Sequence, residues 1–502
     1  VSEYGDSFDQ ANCNVHFWTL SISGYEARVD ILTVAPVNVG NNSSARLYGR
    51  IAGAALVGAA MLCWPMILNG FPFIFHDTNS YVRLNPEIPR SYFYKLFVFF
   101  TGFHKSIWTT AFAQTLLASI CILILMRMLG FLRIRHFLLA MTTLSLASSL
   151  PIFASFIMPD IFTGIMCIAL FVTIFNFEET SLKLRAFLFL VLLVSISAHL
   201  SHLALALALT FASLAWLLAF ARGRSRKGVG LVLLACTLVA AAFTLYHGIK
   251  HHRFVLSAAG STFFLANLLE HGPARQELKD HCPQSGYRLC LYRTALPATA
   301  NEFLWNPKSP FNSRLGGFEG MMGESDRLVR DTLRDRPLSI LSESIENSWR
   351  AVFALDSTAD LGRPDTSVPQ LRRVFLRVYG LATLEQFDAS LQERNRFPKK
   401  YISIMNYTGI IIALSAEIYM LIIRRRSGNK NLSLFLSFSI AVYFSSAVLC
   451  GTLSNVADRY QARVTWLLLL AIILLVLDKI YAKSWREGAS SADGSLGISF
   501  YH

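Results

Sequence analysis

Apolar residues in this chain run in long unbroken blocks separated by short polar segments, without the alternation that marks half-buried strands. About ten blocks can be drawn, at 51–68, 107–126, 137–157, 161–177, 186–199, 203–221, 229–246, 402–423, 432–450 and 464–482. A bilayer crossing takes about 20 residues at a rise of 1.5 Å each, so each block is read as a transmembrane helix. The stretch 186–221 has the length of one overlong helix. Both of its flanks are basic, which demands two crossings with a turn near His199-Leu200-Ser201-His202.

The polar segments alternate in charge. Arg127, Arg133 and Arg135 fall on one side, together with Lys183 and Arg185, then Arg222, Arg224, Arg226 and Lys227. Arg424, Arg425, Arg426 and Lys430 join them, as do Lys483 and Arg486. Lys and Arg mark the cytoplasmic side, so both termini are expected inside. The predicted fold is an α-helical polytopic membrane protein of about ten spans. A mainly helical extracytoplasmic domain, 247–401, separates spans seven and eight. Residues 46–246 carry the first seven spans and the first outer loop, 69–106, while 402–482 carry the last three and 483–502 form a cytoplasmic tail. Residues 1–45 lack a basic segment followed by an apolar one, so they do not read as a signal peptide. They are expected to be a mobile cytoplasmic tail or an extension upstream of the natural start.

Composition supports a membrane protein: 53% of residues are hydrophobic and 16% charged. The net charge of +14 sits in short loops, so it signals orientation, and nucleic acid is not an expected partner. In a bacterium this describes the inner membrane with the large loop periplasmic. Cys282 and Cys290 lie in that oxidisable compartment, eight residues apart, and are expected to form a disulfide. Cys63, Cys121, Cys167, Cys236 and Cys450 sit in or at the ends of apolar helices and read as small core residues.

The candidate chemistry collects on the outer side. Asp77, in Phe75-His76-Asp77-Thr78-Asn79-Ser80-Tyr81, arrives just after the first span, where a carboxylate is costly unless it pairs, binds or reacts. It also suits an N-cap for a helix starting at Thr78. His76 and Tyr81 flank it as candidate substrate contacts. Arg90 to Lys105 is aromatic and too short for a span, and reads as a helix lying in the interface. Asp160, in the turn Met158-Pro159-Asp160, is a second candidate carboxylate and equally an N-cap for 161–177. His199 and His202, at i and i+3, have a spacing that can hold a metal, but no third ligand is assignable; backbone-bonded interfacial histidines explain them as well.

Lys250 and Arg253 follow the seventh span in His247-Gly248-Ile249-Lys250-His251-His252-Arg253, suited to a lipid phosphate or to general adhesion to anionic lipid. Arg459 and Arg463, in Asp458-Arg459-Tyr460-Gln461-Ala462-Arg463, lie one helical turn apart before the last span. They are placed to clamp one phosphate, unless Asp458 neutralises one of them. In the outer domain, residues 324–356 have helical periodicity, with Leu328, Leu333, Ile340, Ile345 and Trp349 as apolar positions. That domain carries no G-x-S-x-G, H-E-x-x-H or P-loop motif.

With an acid in the first outer loop (Asp77), an interfacial helix in that loop, an acidic turn at Asp160 and Arg459-Tyr460 before the last span, the chain resembles the GT-C superfamily of polytopic glycosyltransferases. These take sugars from polyprenyl-phosphate carriers; protein O-mannosyltransferases and lipid A aminoarabinose transferases are examples. The segments around Pro72-Asp77-Tyr81 and Asp458-Trp466 also look like those of uncharacterised bacterial membrane proteins. The resemblance implies a polyprenyl-linked sugar donor and a glycan, lipid or protein acceptor. It implies that Arg459, Arg463 and Tyr460, with Lys250 or Arg253, hold the donor, while Asp77 takes the acceptor's proton with inversion at the anomeric carbon. A single acid stands where such enzymes have an adjacent acidic pair, so a divalent metal is possible but not required. Other readings are a polysaccharide polymerase or ligase, a lipid-linked-glycan transporter, and a non-catalytic envelope assembly factor. No internal repeat favours the transporter.

Overall fold

In the computed structural model, the described residues are 41–83, 88, 90–102, 105–221, 223–362, 368–423 and 429–493. Most of the expected tail 1–45, the last residues of the tail 483–502, Arg222 and Arg424 to Arg426 lie outside them. Among the described residues the chain is helical throughout, without a strand, and a single parallel bridge joins Phe73 and Phe156.

The apolar blocks fall on helices. We label α1 (Asn41–Leu62), α2 (Tyr92–Gly102), α3 (Ile107–Met128), α4 (Ile134–Ala147), α5 (Ile161–Phe175), α6 (Leu182–Ala198) and α7 (Leu200–Phe220). Then come α8 (Lys227–His251), α9 (Gly317–Asp335), α10 (Pro337–Val352), α11 (Lys399–Ile423), α12 (Lys430–Leu453) and α13 (Asp458–Asp493). Four of these, α3, α7, α8 and α12, are long and apolar enough to cross a membrane by length and composition. Other blocks are shorter or interrupted. The first breaks at Cys63, where Pro65 permits only a fresh six-residue helix, Trp64–Asn69. The third breaks at Ser148 and resumes as the short helix Leu150–Ala154. The block 186–221 does form two helices, which meet at His199, whose backbone is extended.

Every residue of α5 is buried, and this helix packs on α3, α6, α7 and α8. Gly164 lets α13 approach it: a Cβ there would lie 2.3 Å from the Trp466 ring. The segment read as interfacial is the helix α2, and it turns Tyr94, Lys95, Val98 and Gly102 inward against α3 and α6.

The span expected to be one outer domain, 247–401, contributes to two hydrophobic cores. Leu265 to Ile340 enclose a core of their own, whereas Leu355, Leu361, Phe375, Phe387 and Phe397 belong to the main helical core. The first of these units holds the Cys282–Cys290 disulfide, with Cα atoms 5.5 Å apart, while the five other described cysteines are free and buried. The periodicity read across 324–356 is split by Pro337, which disfavours helix at the preceding Arg336 and begins α10. Leu328 and Ile340 face the core, but Leu333, Ile345 and Trp349 point outward.

Candidate functional site

The first outer loop is held in place by its backbone. Gly70 ends the preceding helix in the left-handed region, at φ +78°, which a residue with a Cβ rarely adopts. The chain then runs alongside the turn before α5: Phe73 N–H donates to the Ser155 carbonyl at 2.9 Å, and Ile157 N–H to the Phe73 carbonyl at 3.0 Å. Thr78 Oγ1 donates to the Ile157 carbonyl at 3.1 Å and accepts from Phe75 N–H at 3.0 Å. These bonds bring the Asp77 turn beside the Asp160 turn. On the other flank, the buried Gln392 amide accepts from Ile74 N–H at 3.0 Å and donates to the Ile74 carbonyl at 2.7 Å and the Gly362 carbonyl at 3.3 Å. Gln392 thereby fastens the Asp77 loop to the segment that carries Asp360.

Around this frame, charges from distant parts of the chain converge. Asp77 pairs with Arg90, whose guanidinium lies 4.9 Å from the centroid of the Trp305 ring. Asp160 Oδ1 lies 3.3 Å from Arg463 Nη1 and 3.7 Å from Arg459 Nε. Arg459 Nε also lies 3.5 Å from Asp360 Oδ2. The Arg459 guanidinium sits over the Phe75 ring at 4.3 Å and near Tyr460 at 5.2 Å, and Arg463 approaches Tyr460 at 5.3 Å. Arg459 and Arg463 are 9% and 3% exposed, so their charges are largely cut off from water. Buried charges require partners. Yet Nε and Nη1 of Arg459 and Nε of Arg463 make no hydrogen bond among the described residues. The ion pairs above are too long to be hydrogen bonds from those atoms. Buried guanidinium N–H groups left over in this way are suited to a bound anion.

The capping alternatives do not hold. Asp77 precedes the short helix Thr78–Tyr81 and Asp160 precedes α5, but neither side chain makes a cap hydrogen bond. Asp458 is likewise taken: its carboxylate accepts the Asp356 N–H at 3.0 Å instead of neutralising Arg459. Burial raises the pKa of the Asp360 carboxyl above its ordinary value, against the opposing pull of Arg459. Burial and then the Asp77 charge push the Tyr81 phenol up as well, keeping it a neutral donor beside the cluster.

The sequence-singled residues divide. Asp77, Tyr81, Asp160, Arg459, Tyr460 and Arg463 come together, and His76 lies close enough to Asp360 to pull on its charge. Lys250 is exposed and Arg253 pairs with Asp326 at 3.6 Å; no contact among the described residues ties either to the cluster. His199 and His202 both have hydrogen-bond partners within the protein. Both nitrogens of His202 are engaged, by Thr163 at 2.8 Å and the Ser195 carbonyl at 2.7 Å, and His199 Nδ1 caps α7 through the Ser201 N–H at 3.2 Å. Among the described residues the one group with metal-ligand spacing is Glu277, His281 and Asp335, of which only Glu277 is buried, and Arg336 already engages Glu277 at 3.1 Å. Sequence reasoning passed over Arg90 as a ligand-side charge, and missed Asp360 and Gln392. Nothing local distinguishes Asp360 from the other acids of its domain.

No protein family, no curated protein and no solved structure matches this chain.

Proposed function

We propose that this chain is a membrane glycosyltransferase, which moves a sugar from a polyprenyl phosphate or diphosphate to a glycan, lipid or protein acceptor at the extracytoplasmic face. In this reading the apolar helices form about ten spans, both termini are cytoplasmic and the membrane is a bacterial inner membrane. One observation carries the proposal: the buried N–H groups of Arg459 and Arg463 that find no hydrogen-bond partner among the described residues, held beside carboxylates at the start of an apolar helix.

The roles follow from charge. Arg459 and Arg463 grip the donor phosphate, with Asp160 fixing both guanidinium groups. Asp77, paired with Arg90, accepts the acceptor's proton as that oxygen attacks the anomeric carbon. The bond from that carbon to the phosphate oxygen breaks, and its electron pair leaves on the phosphate, whose growing charge the arginines stabilise. The named groups, three arginines and three aspartates, otherwise balance. Asp360, with its raised pKa, takes a proton when the phosphate arrives and so releases Arg459 to it.

The test is turnover with purified protein in lipid nanodiscs and a panel of polyprenyl-phosphate sugars. Wild type should release polyprenyl phosphate from at least one donor, and Asp77→Asn should release it far more slowly. Tight binding of these lipids without release by wild type would instead make the chain a carrier of lipid-linked sugars.

A further inference from the structure

The outward face of α10, with its C-cap residue Phe353, carries an apolar stripe at helical spacing. Leu341, Ile345, Trp349 and Phe353 are 56%, 63%, 64% and 59% exposed. Successive members are four residues apart and therefore share one face. A soluble domain rarely leaves such a continuous apolar strip to water. On the opposite side of α10, Ile340, Asn347 and Ala351 are buried. It packs lengthwise on α12, one of the helices long and apolar enough to cross a membrane.

Two contacts fix how far along α12 this packing reaches. Gly451, near the end of α12, meets α10 so closely that a Cβ there would lie 2.4 Å from the Ser348 nitrogen. Further in, the Tyr443 hydroxyl donates to the Val352 carbonyl. From Leu453 back to Tyr443 is about 15 Å at 1.5 Å per residue. That is roughly half of a hydrocarbon core about 30 Å thick. If α12 crosses, the C-terminal half of α10 lies beside its membrane-embedded half. The exposed faces are also continuous in kind: Phe444 and Val448 of α12 are 50% and 52% exposed. The nearby charges do not oppose this, because Glu346 and Arg350 pair with each other one turn apart, and a long Arg side chain can carry its charge toward the headgroups.

We infer that α10 is a bilayer-inserted helix, and that its Leu341-Ile345-Trp349-Phe353 stripe faces the acyl chains of lipid beside α12. Its occupant is the hydrocarbon of the membrane. The inference needs only that α12 spans, and stands apart from sugar transfer. It also has a geometric consequence: the chain leaves this lipid-facing helix and reaches Asp360 by one short segment, with Leu355 buried in the main core on the way and Leu361 buried there just after it. Acyl chains and the Arg459 cluster are thereby joined by one short segment, the arrangement a lipid-borne substrate needs.

Single cysteines at Ile345, Trp349 and Phe353, in a background whose free cysteines are replaced, can be spin-labelled in nanodiscs. Accessibility to oxygen and to a water-soluble nickel chelate then reports the surroundings. Labels on α10 should match Val448→Cys on α12: open to oxygen and closed to nickel. A match to the water-exposed Leu291→Cys would overturn the inference, and so would shielding from both reagents, which marks a protein partner or a second copy. A second measurement needs no cysteine. Brominated acyl chains should quench the part of the tryptophan fluorescence that Trp349→Phe removes; an unquenched difference would equally overturn it.

Discussion

Asp160 and Arg463 meet at 3.3 Å across a sequence separation of 303 residues. Asp160 opens the most buried helix of the molecule and Arg463 lies in the first turns of the last one. Their pair, shared with Arg459, fixes where the ends of α5 and α13 converge. Ser149 strengthens the same junction by donating to the Ala462 carbonyl at 2.7 Å. Two buried arginines around one carboxylate leave donors to spare, and the functional reading rests on those donors.

Asp77 is the first of the groups to test. Asp77→Asn keeps shape and hydrogen bonding but cannot take up a proton, so turnover should fall by roughly 10²–10⁴ while lipid binding is mostly kept. Turnover by the variant at the wild-type rate would remove Asp77 from the chemistry.

The second prediction concerns pH. The Asp360 pKa is raised by burial, so its carboxyl gains a proton at a higher pH than an ordinary aspartate would. Protonation removes the competitor for Arg459. Affinity for a polyprenyl phosphodiester, whose own charge is constant, should therefore rise as pH is lowered from 8 toward 5. Asp360→Asn should bind tightly with little pH dependence. Equal slopes in wild type and variant would exclude Asp360 as the titrating group.

Gln392 supplies a structural test. Its truncation to Ala leaves the Ile74 N–H and carbonyl without their partner inside the protein. A buried polar group so orphaned costs about 1–3 kcal/mol. Thermal unfolding in detergent should shift downward, and turnover should fall further than lipid binding as the Asp77 loop loosens. An unchanged midpoint would show that the loop is held elsewhere.

A fourth prediction addresses the helix junction. Gly164→Val forces side-chain atoms into the Trp466 ring, and overpacking of this kind costs about 1–3 kcal/mol. The smaller ring of Trp466→Phe should recover part of the loss in the double variant. Full stability of Gly164→Val alone would contradict the close α5–α13 approach.

Helix positions were legible in the sequence because unbroken apolar runs have only one economical backbone solution in a nonpolar setting. The Asp77 and Arg459 segments were legible too, since charge at the edge of an apolar run is conspicuous. What composition concealed was local: Cys63-Trp64-Pro65 and Ser148-Ser149 break helices inside blocks that hydropathy averages into one. Asp360 and Gln392 were invisible for another reason. Their roles depend on partners far along the chain, Arg459 for Asp360 and Ile74 for Gln392, and no periodicity encodes those pairings. The spacing of His199 and His202 likewise gave no sign of their partners Thr163, Ser195 and Ser201.

The central claim is that Arg459 and Arg463 form a lipid-phosphate site, and direct binding tests it best. Native mass spectrometry of detergent-released protein, titrated with polyprenyl phosphate and with the matching polyprenol, compares the two lipids on one scale. Wild type should prefer the phosphate, and Arg459→Gln should lose that preference. Loss of a buried charged hydrogen-bond partner typically costs about 2–5 kcal/mol, which is at least roughly tenfold in affinity. Arg459→Lys should restore only part, because it lacks the planar fork. Equal binding of phosphate and alcohol by wild type, or an undiminished phosphate preference in a folded Arg459→Gln protein, would contradict the account.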